Sequence, residues 1–353
     1  MYRKVMNFLN SWKNSTHRKP LILQGARQVG KTYSILEFGR AEYENVAYFN
    51  FETNPKLNET FEENISPDYL IPILSHIAGQ TIVKEKTLIV FDEVQLCERA
   101  LTSLKYFCED APDYHIIVAG SLLGVAVNRK NFSFPVGKVD MKTLYPMDME
   151  EFMIALGEDA LVGQIKECFI ANTPLPSALH DAAMQLYRQY LVVGGMPECV
   201  MQFAETKDYI LVRHTQDTIL ASYLNDMSKY NTLNEIKKTR LTYDNITVQL
   251  SKKNTRFQYK LIKKGGRASE FENAIEWLCL SGIVSQVFKV EQIKKPLENY
   301  RDIDSFKIYV SDLGLLCAKK DLTADDILYM VEEINDFKGG MAENYVNVQL
   351  SIN

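Results

Sequence analysis

The chain has 353 residues, 46% hydrophobic and 24% charged, with a formal net charge of −5. That length accommodates two or three domains with sizeable cores, and the acidic balance excludes a global basic field for nucleic acid while leaving room for a local patch. Six scattered cysteines without a C-x-x-C pair argue against a disulfide framework or a zinc site, and suit the reduced thiols of a cytoplasmic protein. No stretch approaches 18 consecutive apolar residues, so no membrane partner is expected, and Met1–Trp12 lacks the apolar core of a signal peptide.

Val5, Met6, Phe8, Leu9 and Trp12 recur at helical intervals, which predicts a short packing helix near the start. The apolar run Leu21-Ile22-Leu23 then leads into Gly25-Ala26-Arg27-Gln28-Val29-Gly30-Lys31-Thr32, and helical spacing resumes at Ile35, Leu36 and Phe38. This is the phosphate-loop pattern G-x-x-x-x-G-K-S/T in its strand–loop–helix setting. Glycines allow the backbone to turn and approach a ligand closely, and successive N–H groups with the helix N-terminus make an anion cradle. Lys31 can reach the β- and γ-phosphates of a nucleotide, and the Thr32 hydroxyl can ligate Mg²⁺. Gly25 to Thr32 and the adjoining Tyr33 are therefore assigned to nucleotide contact. The competing reading is a glycine turn before a surface helix.

Val46 to Phe51 alternates like a strand, Tyr69 to Ile77 reads as a helix, and Thr87-Leu88-Ile89-Val90-Phe91-Asp92-Glu93 reads as a buried parallel strand with an acidic tip. About 60 residues beyond a phosphate loop, such a tip suits Mg²⁺ binding by Asp92 and general-base activation of water by Glu93. Alone it would be a solvated Asp-Glu turn. A helix through Ala100 to Cys108 precedes a third buried strand, His115 to Ser121, whose terminal Ser121 is the candidate γ-phosphate sensor; a plain loop serine is the alternative. In the additional-strand class of phosphate-loop ATPases this strand lies between the loop strand and the acidic strand. Val136 to Leu144 supplies a fifth strand. Lys31, Glu93 and Ser121 are thus the expected catalytic set, with Thr32 and Asp92 at the metal.

From Asp148 to Val200 the pattern is helical, broken by Gly194-Gly195-Met196-Pro197-Glu198, and another helix covers Tyr209 to Tyr223. Two further helices, Ile236–Leu250 and Arg267–Leu280, precede the strands Ile283–Val290 and Phe306–Val310, an order that reads as a winged helix. The last stretch is helical, and its stripe of Met341, Tyr345, Val346 and Leu350 has no evident partner, as if a domain opened there. The expected fold is α/β: a P-loop NTPase parallel sheet of the additional-strand class, then a helical lid and a winged-helix domain. The boundaries follow as core 1–147, lid 148–232, winged helix 233–320 and an incomplete C-terminal segment 321–353.

These motifs together resemble a prokaryotic family of AAA-like P-loop ATPases with a C-terminal domain of unknown function, which contains a winged helix and often a restriction-endonuclease-like tail. The resemblance rests on Arg18-Lys19-Pro20, the loop itself, Phe91-Asp92-Glu93-Val94-Gln95, Ala119-Gly120-Ser121-Leu122-Leu123, Tyr145-Pro146, Gly194-Gly195-Met196-Pro197-Glu198, the set Tyr223, Asp226 and Lys229, and Phe306 to Leu316. It implies ATP and Mg²⁺ as cofactors and a regulatory or DNA-associated role. Gly137-Lys138 stands where many members carry Gly-Arg, so an arginine finger is not implied there; lysine lacks the bidentate fork. Arg129 and Arg213 are other candidate arginines. Pro197 is similar to the proline that packs near adenine in signal-transducing ATPases, with a simple interhelical turn as the alternative. Glu343 resembles a metal-site glutamate of the tail, although a lone surface glutamate cannot cut nucleic acid.

Between Asp244 and Glu270 lie Lys252, Lys253, Arg256, Lys260, Lys263, Lys264 and Arg267, interleaved with Phe257 and Tyr259 and without an acid. Segment 252–267 is a candidate DNA contact. The next helix carries Glu270, Glu272 and Glu276, so a solvated or protein-binding face stands beside it. Two functional classes follow: Mg²⁺-dependent ATP hydrolysis driving domain movement, or a nucleotide-gated switch with negligible turnover. A homo-oligomer or a protein partner fits either.

Overall fold

The computed structural model describes residues 1–120, 134–229, 232–252 and 256–352. It divides into two compact units, Arg3–Tyr145 and Pro146–Asn353 together with Met1–Tyr2.

In the first unit the strands are β1 (Leu21–Gln24), β2 (Asn45–Asn50), β3 (Thr87–Asp92), β4 (His115–Gly120) and β5 (Asp140–Thr143), and the helices are α1 (Val5–Lys13), α2 (Lys31–Glu42), α3 (Leu57–Glu63), α4 (Pro67–Ala78) and α5 (Glu98–Asp110). The strands form one parallel sheet in the order β2-β3-β4-β1-β5. Strand β4 therefore stands between the loop strand β1 and the acidic strand β3. Every residue of β3 and β4 is buried, as expected of central strands covered on both faces. β2 and β5, at the edges, are partly exposed.

Period-2 alternation divides the sheet's side chains. Ile22, Ala47, Phe49, Ile89, Phe91, Ile116 and Val118 face one way, into a core closed by Leu57 and Phe61 of α3, Leu70 and Leu74 of α4 and Leu101 and Leu104 of α5. On the other face α2 lies so close that a Cβ on Gly39 would meet Val46 and Leu88. Helix α3 lies in a stretch that reads as merely polar; its two apolar residues suffice to dock it.

The second unit begins with α6 (Met149–Ala155), capped by Asp148 and Glu151 in a reciprocal capping box. It continues through α7 (Asp159–Ala171), α8 (Ser177–Val193), α9 (Pro197–Thr206), α10 (Tyr209–Lys229), α11 (Leu233–Leu250), α12 (Tyr259–Ile262) and α13 (Ala268–Leu280). The antiparallel hairpin of β6 (Val284–Val290) and β7 (Arg301–Val310) follows, then α14 (Leu313–Lys319), α15 (Ala324–Leu328) and α16 (Asn335–Ile352).

Two sequence motifs meet in this unit. The carboxylate of Asp312, 2% exposed, accepts hydrogen bonds from Gly195 N at 2.6 Å and Leu315 N at 2.8 Å. It thereby ties the Gly194–Pro197 turn to the start of α14. Helix α16 does find a surface: Met341 and Val348 are buried, Tyr345 sets its ring edge-on to Tyr187, and the Asn344 amide pairs with both backbone groups of Val310. Of the stripe Met341, Tyr345, Val346 and Leu350, only Val346 and Leu350 are exposed.

Candidate nucleotide site

Between β1 and α2 the backbone adopts positive φ at Gly25 (148°), Gln28 (65°) and Gly30 (89°). A Cβ on Gly25 would overlap the carbonyl oxygen of Leu144, so only glycine fits. The turn delivers Lys31 to the first position of α2, 8% exposed, with Nζ donating to Gly25 O at 2.9 Å and Ala26 O at 2.7 Å. Burial pulls its pKa down to about 8, against the opposing pull of Glu93 and Asp92.

The parallel register brings the tip of β3 alongside the loop. Thr32 Oγ1 donates to Asp92 Oδ2 at 2.8 Å, and Asp92 Oδ1 accepts from the Glu93 backbone N–H at 3.0 Å. Glu93 takes a positive φ of 52°, uncommon for a residue with a side chain, and its carboxylate accepts from the Gln95 amide. The expected residues Gly25 to Thr32, Asp92 and Glu93 thus converge at the C-terminal ends of β1 and β3, where open α/β sheets bind ligands. Tyr33 is half exposed on the first turn of α2.

A hydroxyl hydrogen-bonded to a carboxylate beside a phosphate cradle is a hard-oxygen donor set that fits Mg²⁺, which takes few protein ligands and relies on substrate phosphates for others. Ser121 and Arg129 lie outside the described residues. Pro197 belongs to the second unit, half-buried at the first position of α9.

Three further residues contribute to the site, of which only Gln95 stands within a sequence motif. Tyr48 of β2 donates its phenol to Asp92 Oδ2 at 2.7 Å. Gln95 holds Glu93. Arg3, 4% exposed just ahead of α1, donates to Val29 O at 3.0 Å and Tyr145 O at 2.7 Å, bracing the loop from behind. Gln95 adjoins the acidic pair and was within reach of a local reading; Tyr48 and Arg3 become visible only through register and long-range packing.

A sequence model described as an AAA domain matches residues 17–153, and one described as a domain of unknown function (DUF8612) matches residues 184–326. Residues 17–153 are therefore similar to an AAA domain and carry a P-loop ATPase fold. The fold also matches the solved structure of the Walker-type ATPase PABY2304 of Pyrococcus abyssi, with a TM-score of 0.55, 14% identity, and coverage of 90% of this chain and 95% of that one. The Aeropyrum pernix ORC2 protein aligns over 98% of this chain and 93% of its own at 12% identity; its TM-score of 0.41 lends no weight to the assignment. None of the curated proteins matches. No helix among the described residues is long and apolar enough to cross a membrane.

Of the candidate finger positions, the two that are described are engaged locally. Arg213 donates to Leu322 O and lies 3.5 Å from Asp321, and Lys138 pairs with Glu109 at 2.8 Å. Glu343 accepts from Lys307 at 2.7 Å and Tyr309 at 3.2 Å.

Proposed function

We propose that the protein binds and hydrolyses ATP with Mg²⁺, and that hydrolysis drives movement of a C-terminal region composed of a helical lid (148–232) and a winged-helix domain (233–320). The observation that carries this reading is the Thr32–Asp92 hydrogen bond with Glu93 immediately beside it, which joins phosphate loop and acidic strand into one constellation. Lys31 exchanges its loop carbonyls for the β- and γ-phosphate oxygens. Glu93 accepts the proton of a water whose oxygen bonds to the γ-phosphorus as the bridging oxygen leaves with ADP. Ser121 senses the γ-phosphate. Thr32 and Asp92 would hold Mg²⁺, which supplies neutralisation of the phosphate charge when bound.

Lys31→Ala should abolish nucleotide binding in a fluorescence titration. Glu93→Gln should bind ATP with near-unchanged affinity and lose turnover by roughly 10²–10⁴-fold. Normal turnover in Glu93→Gln would remove Glu93 from its role.

A second reading, a nucleotide-gated switch with negligible turnover, is favoured by the local engagement of Lys138 and Arg213, which leaves neither poised as a finger. Phosphate release across a protein concentration series separates the two. Specific activity near zero at every concentration supports the switch, and a rise with concentration supports an oligomer supplying residues in trans.

We also propose segment 252–267 as a DNA contact. Phe257 and Tyr259 turn inward onto Phe306, while Lys252, Arg256, Lys260, Lys263, Lys264 and Arg267 are exposed. The aromatics anchor the segment to the hairpin rather than offering surfaces for bases, which supports a contact made to phosphates alone.

A further inference from the structure

We propose that Tyr48 is a positioning residue that fixes Asp92 in the orientation required for divalent-cation binding. The inference rests on the reading of Asp92 as a metal-site carboxylate.

Tyr48 pairs with Val90 in the parallel register of β2 and β3, and Asn50 pairs with Asp92. Asp92 is thus two residues beyond Tyr48's direct partner and on the same face, a diagonal distance that a long aromatic side chain spans. The phenol crosses it and donates to Asp92 Oδ2 at 2.7 Å, while Asn50 Nδ2 donates to the phenol oxygen at 3.2 Å. Asp92 Oδ2 also takes the Thr32 hydroxyl at 2.8 Å, and Oδ1 takes the Glu93 N–H at 3.0 Å. A carboxylate offers about four lone-pair positions. Three are occupied by donors from three different segments, so the group can neither rotate nor swing out of the site.

Asp92 is 4% exposed, whereas Tyr48 stands 38% exposed on an edge strand. Its ring therefore contributes little core that the fold requires, and its hydroxyl is spent on one buried charge. With Asp92 held by Tyr48, Thr32 keeps its proton directed at Oδ2 and its oxygen lone pairs available to a cation.

The test is Tyr48→Phe in the full chain, which removes the hydroxyl and keeps the ring. Binding of a fluorescent ATP analogue is measured in EDTA and then across a Mg²⁺ titration, with a thermal melt to confirm folding. The EDTA affinity should stay within about twofold of wild type, and the Mg²⁺ midpoint should rise about 5- to 10-fold. A merely structural role would move both measurements or neither. If wild type itself shows no Mg²⁺ dependence, the metal-site reading fails. If wild type responds to Mg²⁺ and Tyr48→Phe has the same or a lower midpoint, the role of Tyr48 is overturned. Tyr48→Leu should reproduce the shifted midpoint whatever it does to the melting temperature.

Discussion

Lys31 is a buried cation satisfied by two carbonyls of its own loop, its pKa lowered by burial to about 8. Phosphate oxygens are stronger partners than carbonyls and favour the charged form, so binding above pH 8 must be accompanied by proton uptake. The dissociation constant for ATP should be flat below about pH 8 and should climb toward about tenfold per unit above it. A Kd that stays constant from pH 7 to 9.5 would contradict this, and Lys31→Arg should remove the slope. A second residue couples to pH at the far end of the sheet. His115, 4% exposed at the start of β4, has a pKa lowered to about 4 by burial and by the nearby cations Arg18 and Lys13, with Asp113 opposing. Tyr43 shares a 2.8 Å hydrogen bond with its Nδ1, and Trp12 lies edge-on to its ring. Because the unfolded chain takes up the proton near pH 6.5 and the folded chain resists until about 4, stability is full above 6.5 and declines as pH falls between those values. The loss should reach about 2–3 kcal/mol in urea titrations. His115→Phe should flatten the profile over that window; an unchanged profile would assign the acid sensitivity elsewhere.

Elements in the first unit were legible where one residue pattern admits one environment. The unbroken apolar runs of β3 and β4 require burial on both faces, and the loop requires the strand before it and the helix after it. Helix α3 was not legible, because Leu57 and Phe61 alone cannot establish a period amid acids and asparagines. Asp92 and Glu93 could be read directly from the chain; Tyr48 could not, since its role depends on which residue of β3 lies opposite, and register is a tertiary property. The Gly194–Pro197 turn shows the same division. A sharp break between helices is evident from its composition, whereas its anchor, Asp312, is more than a hundred residues away in sequence. That anchor makes a specific prediction. A Cβ on Gly195 would overlap the backbone of Met147, and one on Gly194, where φ is +75°, would strike the Asp312 carboxylate. Gly195→Ala should therefore cost about 2–4 kcal/mol in chemical denaturation. Gly163, inside α7 with nothing within 4 Å of its would-be Cβ, is the control. Gly163→Ala should be stabilising by about 0.5–1 kcal/mol, from helix propensity alone. Equal effects at the two sites would show that the turn is not held by its surroundings.

At the scale of the whole molecule the net charge of −5 opposes nucleic acid, so any DNA binding must be local and must weaken steeply with salt. The structure sorts the described residues of segment 252–267, namely 252 and 256–267, into inward-facing aromatics and exposed cations. Phe257 stacks on Phe306 and donates its N–H to the Phe306 carbonyl at 2.7 Å, and Lys263 is drawn into a pair with Glu270 at 2.9 Å. Lys252, Arg256, Lys260, Lys264 and Arg267 remain exposed on the outer side. Each cation that meets a phosphate releases condensed counterion, at about 0.9 in the log–log slope per contact on duplex DNA. If all five engage, log affinity for a short duplex should fall with log salt at a slope of about −4 to −5, and the slope should be the same for unrelated sequences. Lys260→Ala and Lys264→Ala should each make the slope shallower by about 1, while Lys263→Ala, already neutralised by Glu270, should change it far less. Glu272 and Glu276 are exposed on α13, so a duplex held by the segment must avoid that helix face. Replacing both glutamates with glutamine should strengthen binding without altering its indifference to sequence. Salt-independent affinity would rule out the phosphate contact, and a strong preference between duplexes of equal length would show that bases are read by some other surface.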